Sequence, residues 1–248
     1  MAIPKPPEHK ITHPAKFTKS LIPLFADLLE GCEKVLDPFA GTGRIHELMD
    51  LGDFRTFGIE LETEWAQMHK RTRIGNALDL PWRKNHFDGV CTSPTYGNRL
   101  ADHHNAKDGS VRHSYKHDLG RDLTTENSGQ LHWGPKYREF HEAAWREVHR
   151  VLKPGGRFVL NLKDHIRKKK LMPVTGWHIT FLTKTLDFEL HNVLGMGAPA
   201  LRKGANSLAR AGNAEIVFLL VNRSPILFSM ISSKCTLFSA SLCSTLPP

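Results

Sequence analysis

Val35-Leu36-Asp37-Pro38-Phe39-Ala40-Gly41-Thr42-Gly43 decides the fold. It begins as a short apolar β-run ending on an acidic residue and finishes as a turn with two glycines that opens a helical run. Glycine lacks a Cβ, so backbone there can approach a ligand closely. The flanking chain repeats this grammar. Lys34-Val35-Leu36-Asp37 reads as a first strand, 43–51 as a helix, Thr56-Phe57-Gly58-Ile59-Glu60 as a second strand and 62–71 as a helix. Alternating β and α segments imply an α/β fold, a mostly parallel sheet with helices on both faces. Glu60 closes its strand 19 residues after Gly41, where a carboxylate can accept hydrogen bonds from ribose hydroxyls. The same spacing suits the dinucleotide site of a nicotinamide-dependent oxidoreductase, so the turn by itself leaves the nucleotide open.

Further along, 73–78 and 87–92 read as strands, 136–152 as a helix and 157–162 as a strand. Tyr137, Phe140, Ala144, Val148, Val151 and Leu152 share one face of that helix. Strands at 188–194 and 215–221, separated by a basic Gly/Ala-rich stretch, bring the count to about seven. Upstream, Leu21, Ile22, Leu24, Phe25, Leu28 and Leu29 predict a helix over 18–30, with Thr18 or Ser20 able to cap it. The expected organisation is one catalytic domain over 1–223. A polar insertion at 97–135 interrupts it, and a tail at 224–248, without clear period and with Lys234 as its one charged side chain, lies outside the fold.

The chain has 248 residues, of which 40% are hydrophobic, and 34 Lys and Arg against 25 Asp and Glu leave a formal charge of +9. Disorder throughout is excluded, because disordered chains pair high charge with few apolar residues. No apolar run approaches the roughly 18 residues of a membrane span, and the Pro-rich start lacks a signal-peptide core. An intracellular, cytoplasmic protein is expected. Cys32, Cys91, Cys235 and Cys243 form no C-x-x-C pair, so free thiols are expected. His103, His104, His113 and His117 in the insertion have no Cys partners, and no metal is assigned to them. The positive charge raises nucleic acid as a partner.

The motifs together resemble a known family. Asp37 to Gly43 is similar to the first motif of S-adenosylmethionine-dependent methyltransferases acting on amino groups of nucleic-acid bases. Ser93-Pro94-Thr95-Tyr96, after the strand Val90-Cys91-Thr92, resembles their catalytic motif of Asp, Asn or Ser followed by Pro-Pro-Tyr. His13-Pro14-Ala15-Lys16-Phe17 resembles the N-terminal motif that helps hold the methionine end of the cofactor. Arg150 to Gly156 resembles the turn before the fifth strand. The resemblance spans about residues 12 to 222 and implies the class I methyltransferase (Rossmann-like) fold with S-adenosyl-L-methionine as cofactor. Thr95 departs from the pattern, since a proline there would stiffen the turn by fixing φ.

Carried over residue by residue, the resemblance implies that His13, Lys16, Phe17, Asp37, Pro38 and the backbone of Phe39, Ala40, Gly41, Thr42 and Gly43 contact the methionine part. It implies Glu60, with Leu61 beside it, for the ribose, and Leu78 with Asp79 for the adenine. Ser93 Oγ and the Pro94 carbonyl would accept hydrogen bonds from a base amino group, and Tyr96 would stack on the base. The base must be flipped out or already single-stranded. Ser in the first position slightly favours N4 of cytosine over N6 of adenine. Carbon-5 methylation needs an exposed Cys nucleophile, whereas Cys91 reads as a core residue. Arg99, Arg112, Lys116 and Arg121 of the insertion, Arg167 and Lys168 after the fifth strand, and Arg202 and Lys203 are candidate phosphate contacts. DNA is the expected partner. The alternatives are an RNA base amino-methyltransferase and a non-catalytic nucleic-acid-binding protein that retains the fold.

Overall fold

The computed structural model describes residues 11–14, 17–98, 114–196 and 215–223. Helix α1 (Leu21–Leu28) precedes strand β1 (Lys34–Asp37), a 3₁₀ helix (Arg44–Asp50), β2 (Arg55–Glu60), the one-turn helix α2 (Thr63–Ala66), β3 (Thr72–Ile74) and β4 (Phe87–Thr92). Helix α3 (Tyr115–Leu119) and a short 3₁₀ turn (Ser128–Gln130) lie in the insertion. Then come α4 (Pro135–Val151), β5 (Leu152–Leu162), β6 (His165–Arg167), β7 (Lys170–Met172), α5 (Val174–Thr185), β8 (Phe188–Met196) and β9 (Glu215–Asn222).

Seven strands form one sheet in the order β3-β2-β1-β4-β5-β9-β8. Strands β1 to β5 pair in parallel, and β9 runs antiparallel to both its neighbours. The parallel sense gathers the ends of β1, β2, β4 and β5 along one edge. Side chains alternate across the pleat, so adjacent residues enter opposite cores. Leu36, Val90, Phe158, Leu160 and Phe218 join α4 and α5 on one face. Val35, Cys91, Val159 and Val217 join α1 and the first 3₁₀ helix on the other. Cys91 is therefore the core residue expected of it, and burial holds its thiol well above the usual range.

The elements differ from the sequence reading where side chains take over the backbone. The expected third strand (73–78) stops at Ile74, because Asn76 Oδ1 accepts the Leu78 amide at 3.0 Å and closes a turn. The expected helix at 62–71 keeps only one α-turn, and the one at 43–51 is a 3₁₀ helix. Ser20 stands at the N-cap of α1 without a side-chain cap, its hydroxyl instead meeting Thr18 Oγ1. The turn at Lys153 to Gly156 bulges out within β5, where the register jumps from Phe87↔Leu152 to Gly89↔Arg157. Helix α5 and the β6–β7 hairpin carry no apolar period that marks them in the sequence.

Among the described residues, no helix is long and apolar enough to cross a membrane. The expected tail at 224–248, together with Lys16, Arg99, Arg112, Arg202, Lys203, His103, His104 and His113, lies outside the described residues.

Candidate active site

Strand β1 delivers Asp37 to the sheet edge, and the chain turns there through Gly41 (φ +53°) and Gly43 (φ +84°). A Cβ on Gly43 would stand 2.7 Å from His69 Cβ, and one on Gly41 3.2 Å from His13 Nε2. Both positions need glycine for angle, and Gly43 needs it for space as well. Asp37 Oδ1 accepts the Phe39 amide at 2.9 Å and the Thr92 hydroxyl at 2.6 Å. Its Oδ2 is buried with no partner among the described residues. Glu60, at the end of β2, accepts the Gly41 amide on Oε2 and the Glu62 amide on Oε1, each at 2.9 Å. Burial pushes both carboxyls up to about 7, against the hydrogen bonds that favour their ionised forms.

Beside this turn lies a cleft of about 550 Å³, counting its open mouth. Pro38, Phe39, Glu60 and Leu61 line one wall, and Gly75, Asn76 and Ala77 a second. Ser93 and Thr95 come from the turn after β4, Phe140 from α4, and His13 and Trp65 close the far end. His13 packs edge-on to Trp65 with ring centroids 4.3 Å apart. Of the stretch from Asp37 to Gly43, Pro38 and Phe39 line the cleft; Asp37, Ala40, Gly41, Thr42 and Gly43 do not. Phe17 packs in the core beneath, edge-on to Phe25 at 5.3 Å. Leu78 packs against the core and Asp79 is exposed. Where the sequence reading put those two, the cleft wall is made by Asn76 and Ala77.

At the end of β4, Ser93 Oγ and the Tyr96 hydroxyl lie 2.5 Å apart, and Pro94 between them is buried. Asn161 Nδ2, from the end of β5, donates to both oxygens at 3.3 and 3.4 Å. The Tyr96 ring packs partly against the core and its hydroxyl turns to Ser93, where burial raises its pKa. In this structure it does not line the cleft as a stacking platform. Asn161 was not singled out from sequence, although an Asn inside Phe158-Val159-Leu160-Asn161-Leu162 is a polar break in an apolar strand.

The insertion docks over the cleft. Tyr115, Leu119 and Leu123 bury against Trp65, and Tyr115, Glu126, Asn127 and Ser128 complete the lining. The fully buried Glu62 accepts the Thr124 amide and the Asn127 side-chain amide on Oε1 (2.9 and 2.8 Å) and the Thr124 hydroxyl on Oε2 (3.0 Å). Asn76 donates to Glu126. Arg121, expected at phosphates, is committed to carboxylates in this structure. Its guanidinium bonds Glu64 at 2.7 and 2.6 Å and lies 2.8 Å from Glu62. Lys116 is likewise ion-paired, with Asp122. His117 Nδ1 lies 3.1 Å from Asp118 Oδ1.

Arg167 and Lys168 sit on the β6–β7 hairpin, which begins just beyond the end of β5. Lys168 (φ +49°) and Lys169 (φ +63°) are its two turn residues, a left-handed pair that hairpins usually give to Asn and Gly. Asp164 Oδ1 ties the hairpin base to α5 by accepting the Thr175 amide and hydroxyl at 2.8 and 2.9 Å.

No protein-family model matches the chain, and no curated protein matches it by sequence. Solved structures do match in fold. A SAM-dependent methyltransferase from Methanosarcina mazei superposes with a TM-score of 0.50 at 15% identity, over 81% of this chain and 97% of that one. The Bacillus subtilis protein YcgJ gives 0.51 at 16% identity, over 84% of this chain and 100% of that one. A geranyl diphosphate methyltransferase crystallised with GPP and sinefungin gives 0.50 at 14%, over 83% and 78%.

The chain has the class I methyltransferase fold. Its seven-stranded, mostly parallel sheet and the glycine turn after β1 are the architecture expected from the sequence. The [4+2]-cyclase SpnF also matches, with a TM-score of 0.51 at 14% identity over 82% of this chain and 80% of that one. Chemistry must therefore be argued from the side chains of the cleft.

Proposed function

We propose that the chain transfers the methyl group of S-adenosylmethionine to an exocyclic amino group of a DNA base, N4 of cytosine ahead of N6 of adenine. One observation carries the reading: Pro38 and Phe39 at the start of the glycine turn, Glu60 at the end of β2, and Ser93 and Thr95 after β4 line the same cleft. A methyl donor held at the glycine turn and Glu60 would face an amino group held at the turn after β4.

The residues fit the cofactor. Asp37 Oδ2, buried and without a partner among the described residues, suits a cationic group. Each Glu60 oxygen holds one backbone amide and keeps a lone pair for a ribose hydroxyl. Bound there, S-adenosylmethionine supplies an electrophilic methyl on a positively charged sulfur. Asn76 and Ala77 replace Leu78 and Asp79 as the proposed adenine wall.

The chain's own residues act on the other reactant. A base amino nitrogen has its lone pair delocalised into the ring and is a poor nucleophile. Ser93 Oγ and the Pro94 carbonyl oxygen accept its two N–H groups and turn the lone pair towards the methyl position. Holding the reactants in this geometry supplies much of the rate gain without a covalent intermediate. Phe39 and Phe140, rather than Tyr96, offer aromatic surface inside the cleft. Arg167 and Lys168 contact backbone phosphates from the hairpin, while Lys116 and Arg121 hold the insertion.

The test is to incubate the purified chain with methyl-labelled S-adenosylmethionine and unmethylated DNA or RNA, then digest and identify the labelled nucleoside. Label on deoxycytidine N4, lost in Ser93→Ala, is expected. Label confined to RNA, or unchanged in Ser93→Ala, overturns the reading.

A further inference from the structure

Helices α4 and α5 hold a buried chain of hydrogen bonds that ends on the Ser93–Tyr96 turn. Trp145 Nε1 donates to His178 Nδ1 at 2.8 Å. His178 Nε2 lies 2.9 Å from the Tyr137 hydroxyl, and that hydroxyl donates to the Thr95 carbonyl oxygen at 2.7 Å. Trp145, Tyr137 and His178 are completely buried, so water does not compete for these groups.

The direction of the chain has one solution. An indole N–H only donates, so His178 Nδ1 accepts and carries no proton. A carbonyl only accepts, so the Tyr137 proton points at Thr95, and its oxygen must accept from His178 Nε2–H. Burial, with His141 nearby, keeps the imidazole neutral, which this tautomer requires. His141 Nδ1, bonded to the Tyr137 carbonyl at 2.8 Å, packs against the relay with its ring 5.2 Å from that of His178.

The relay ends on Thr95, the one position where the turn lacks the expected proline. The Thr95 hydroxyl in turn donates to Ser128 Oγ of the insertion at 2.9 Å, so the residue is held by both its carbonyl and its side chain. Next to it, Gly97 (φ +67°) leaves no room for a Cβ, which would lie 2.7 Å from the Trp133 amide nitrogen. A proline stiffens a turn from within by fixing φ; here the stiffening comes from outside.

We propose that Trp145, His178 and Tyr137 are positioning residues whose one-way relay, ending on the Thr95 carbonyl, gives the Ser93–Tyr96 turn the rigidity that a proline at position 95 would otherwise provide. The proposed benefit to methyl transfer rests on the functional reading above; the rigidity itself does not.

Hydrogen exchange on the full chain tests the rigidity without any substrate. In Tyr137→Phe, the amides of Tyr96 and Gly97 should exchange about tenfold faster or more, with the sheet amides unchanged, since the Thr95 carbonyl loses its donor and His178 Nε2–H its acceptor. Adding Thr95→Pro to Tyr137→Phe should restore slow exchange, which a generally weakened fold would not show. His178→Gln, whose amide can accept from Trp145 and donate to Tyr137, should keep wild-type protection, whereas His178→Leu should lose it. These two variants decide the matter if Tyr137→Phe does not fold. Unchanged exchange in Tyr137→Phe, or no restoration by Thr95→Pro, overturns the relay. Where the wild type methylates DNA, Tyr137→Phe and His178→Leu should lose about 10- to 100-fold in kcat with unchanged affinity for S-adenosylmethionine by calorimetry; a loss in affinity with kcat intact overturns the positioning role. No methylation by the wild type sinks the functional reading alone, because exchange still reads the relay.

Discussion

Glu60 Oε2 accepts the amide of Gly41 at 2.9 Å, so the carboxylate at the end of β2 holds the glycine turn after β1. The group proposed to bind ribose also shapes the turn proposed to receive the methionine end. Glu60→Gln puts an NH₂ against one of two backbone N–H donors and leaves that buried donor unsatisfied, a cost of about 1–3 kcal/mol. Affinity for S-adenosylmethionine by calorimetry should fall at least about tenfold, the equivalent of 1.4 kcal/mol. Unchanged affinity would remove Glu60 from the cofactor site.

Gly43→Ala and Gly41→Ala should both destabilise the fold, and Gly43→Ala the more. Each left-handed position costs a non-glycine residue about 1–3 kcal/mol, and only the Gly43 Cβ would come within 3.0 Å of a neighbour, at 2.7 Å. Urea unfolding measures the order; equal losses would contradict the packing of His69 over this turn.

Affinity for a cationic cofactor should rise between about pH 5.5 and about pH 8. Asp37 and Glu60 are pushed up to about 7 by burial, so below that pH protons occupy the carboxylates that a cation needs ionised. Binding near pH 6.5 should release protons, seen by calorimetry in buffers of different ionisation enthalpy. Fold stability is a poorer readout. The raised carboxyls contribute stability at low pH and lose it as pH rises through about 7. His46 and His141, held down to about 3 and about 4 by burial, act oppositely and lose stability as pH falls below the ordinary imidazole range. A pH-independent affinity would show that neither carboxyl faces the cofactor.

Arg121→Ala should loosen the insertion rather than weaken nucleic-acid binding. Its guanidinium holds Glu62 and Glu64, so limited proteolysis within 114–131 should accelerate. A fall in the salt slope of DNA binding with proteolysis unchanged would return Arg121 to the phosphate.

Lys168→Asn with Lys169→Gly removes two charges while placing residues favoured at left-handed turn angles. The fold should be at least as stable, and the slope of log affinity for DNA against log salt should shrink by about 1 to 2. An unchanged slope would show that the hairpin does not meet phosphate.

How much was legible follows from how local each signal is. The placement of Asp37, Glu60 and Ser93 at strand ends and of Gly41 and Gly43 in the turn after β1 could be read because short-range pattern announces the element. The parallel sheet was legible for the same reason, since alternating β and α runs leave one way to bury their apolar faces. Helix α5 was not, because its buried face includes Thr175 and His178 alongside Val174, Phe181 and Leu182, which breaks the apolar period.

The sequence by itself determined the α/β order, the glycine turn and the turn that ends β4, since these depend on residue type and nearest neighbours. Tertiary structure alone decided which groups those turns meet. Asn161 reaches Ser93 across 68 residues, Tyr137 reaches Thr95 across 42, and Arg121 turns to Glu64 across 57. Charge and hydrogen-bonding capacity are written in the chain, but a partner is chosen only when packing removes water and leaves each buried donor one acceptor within reach.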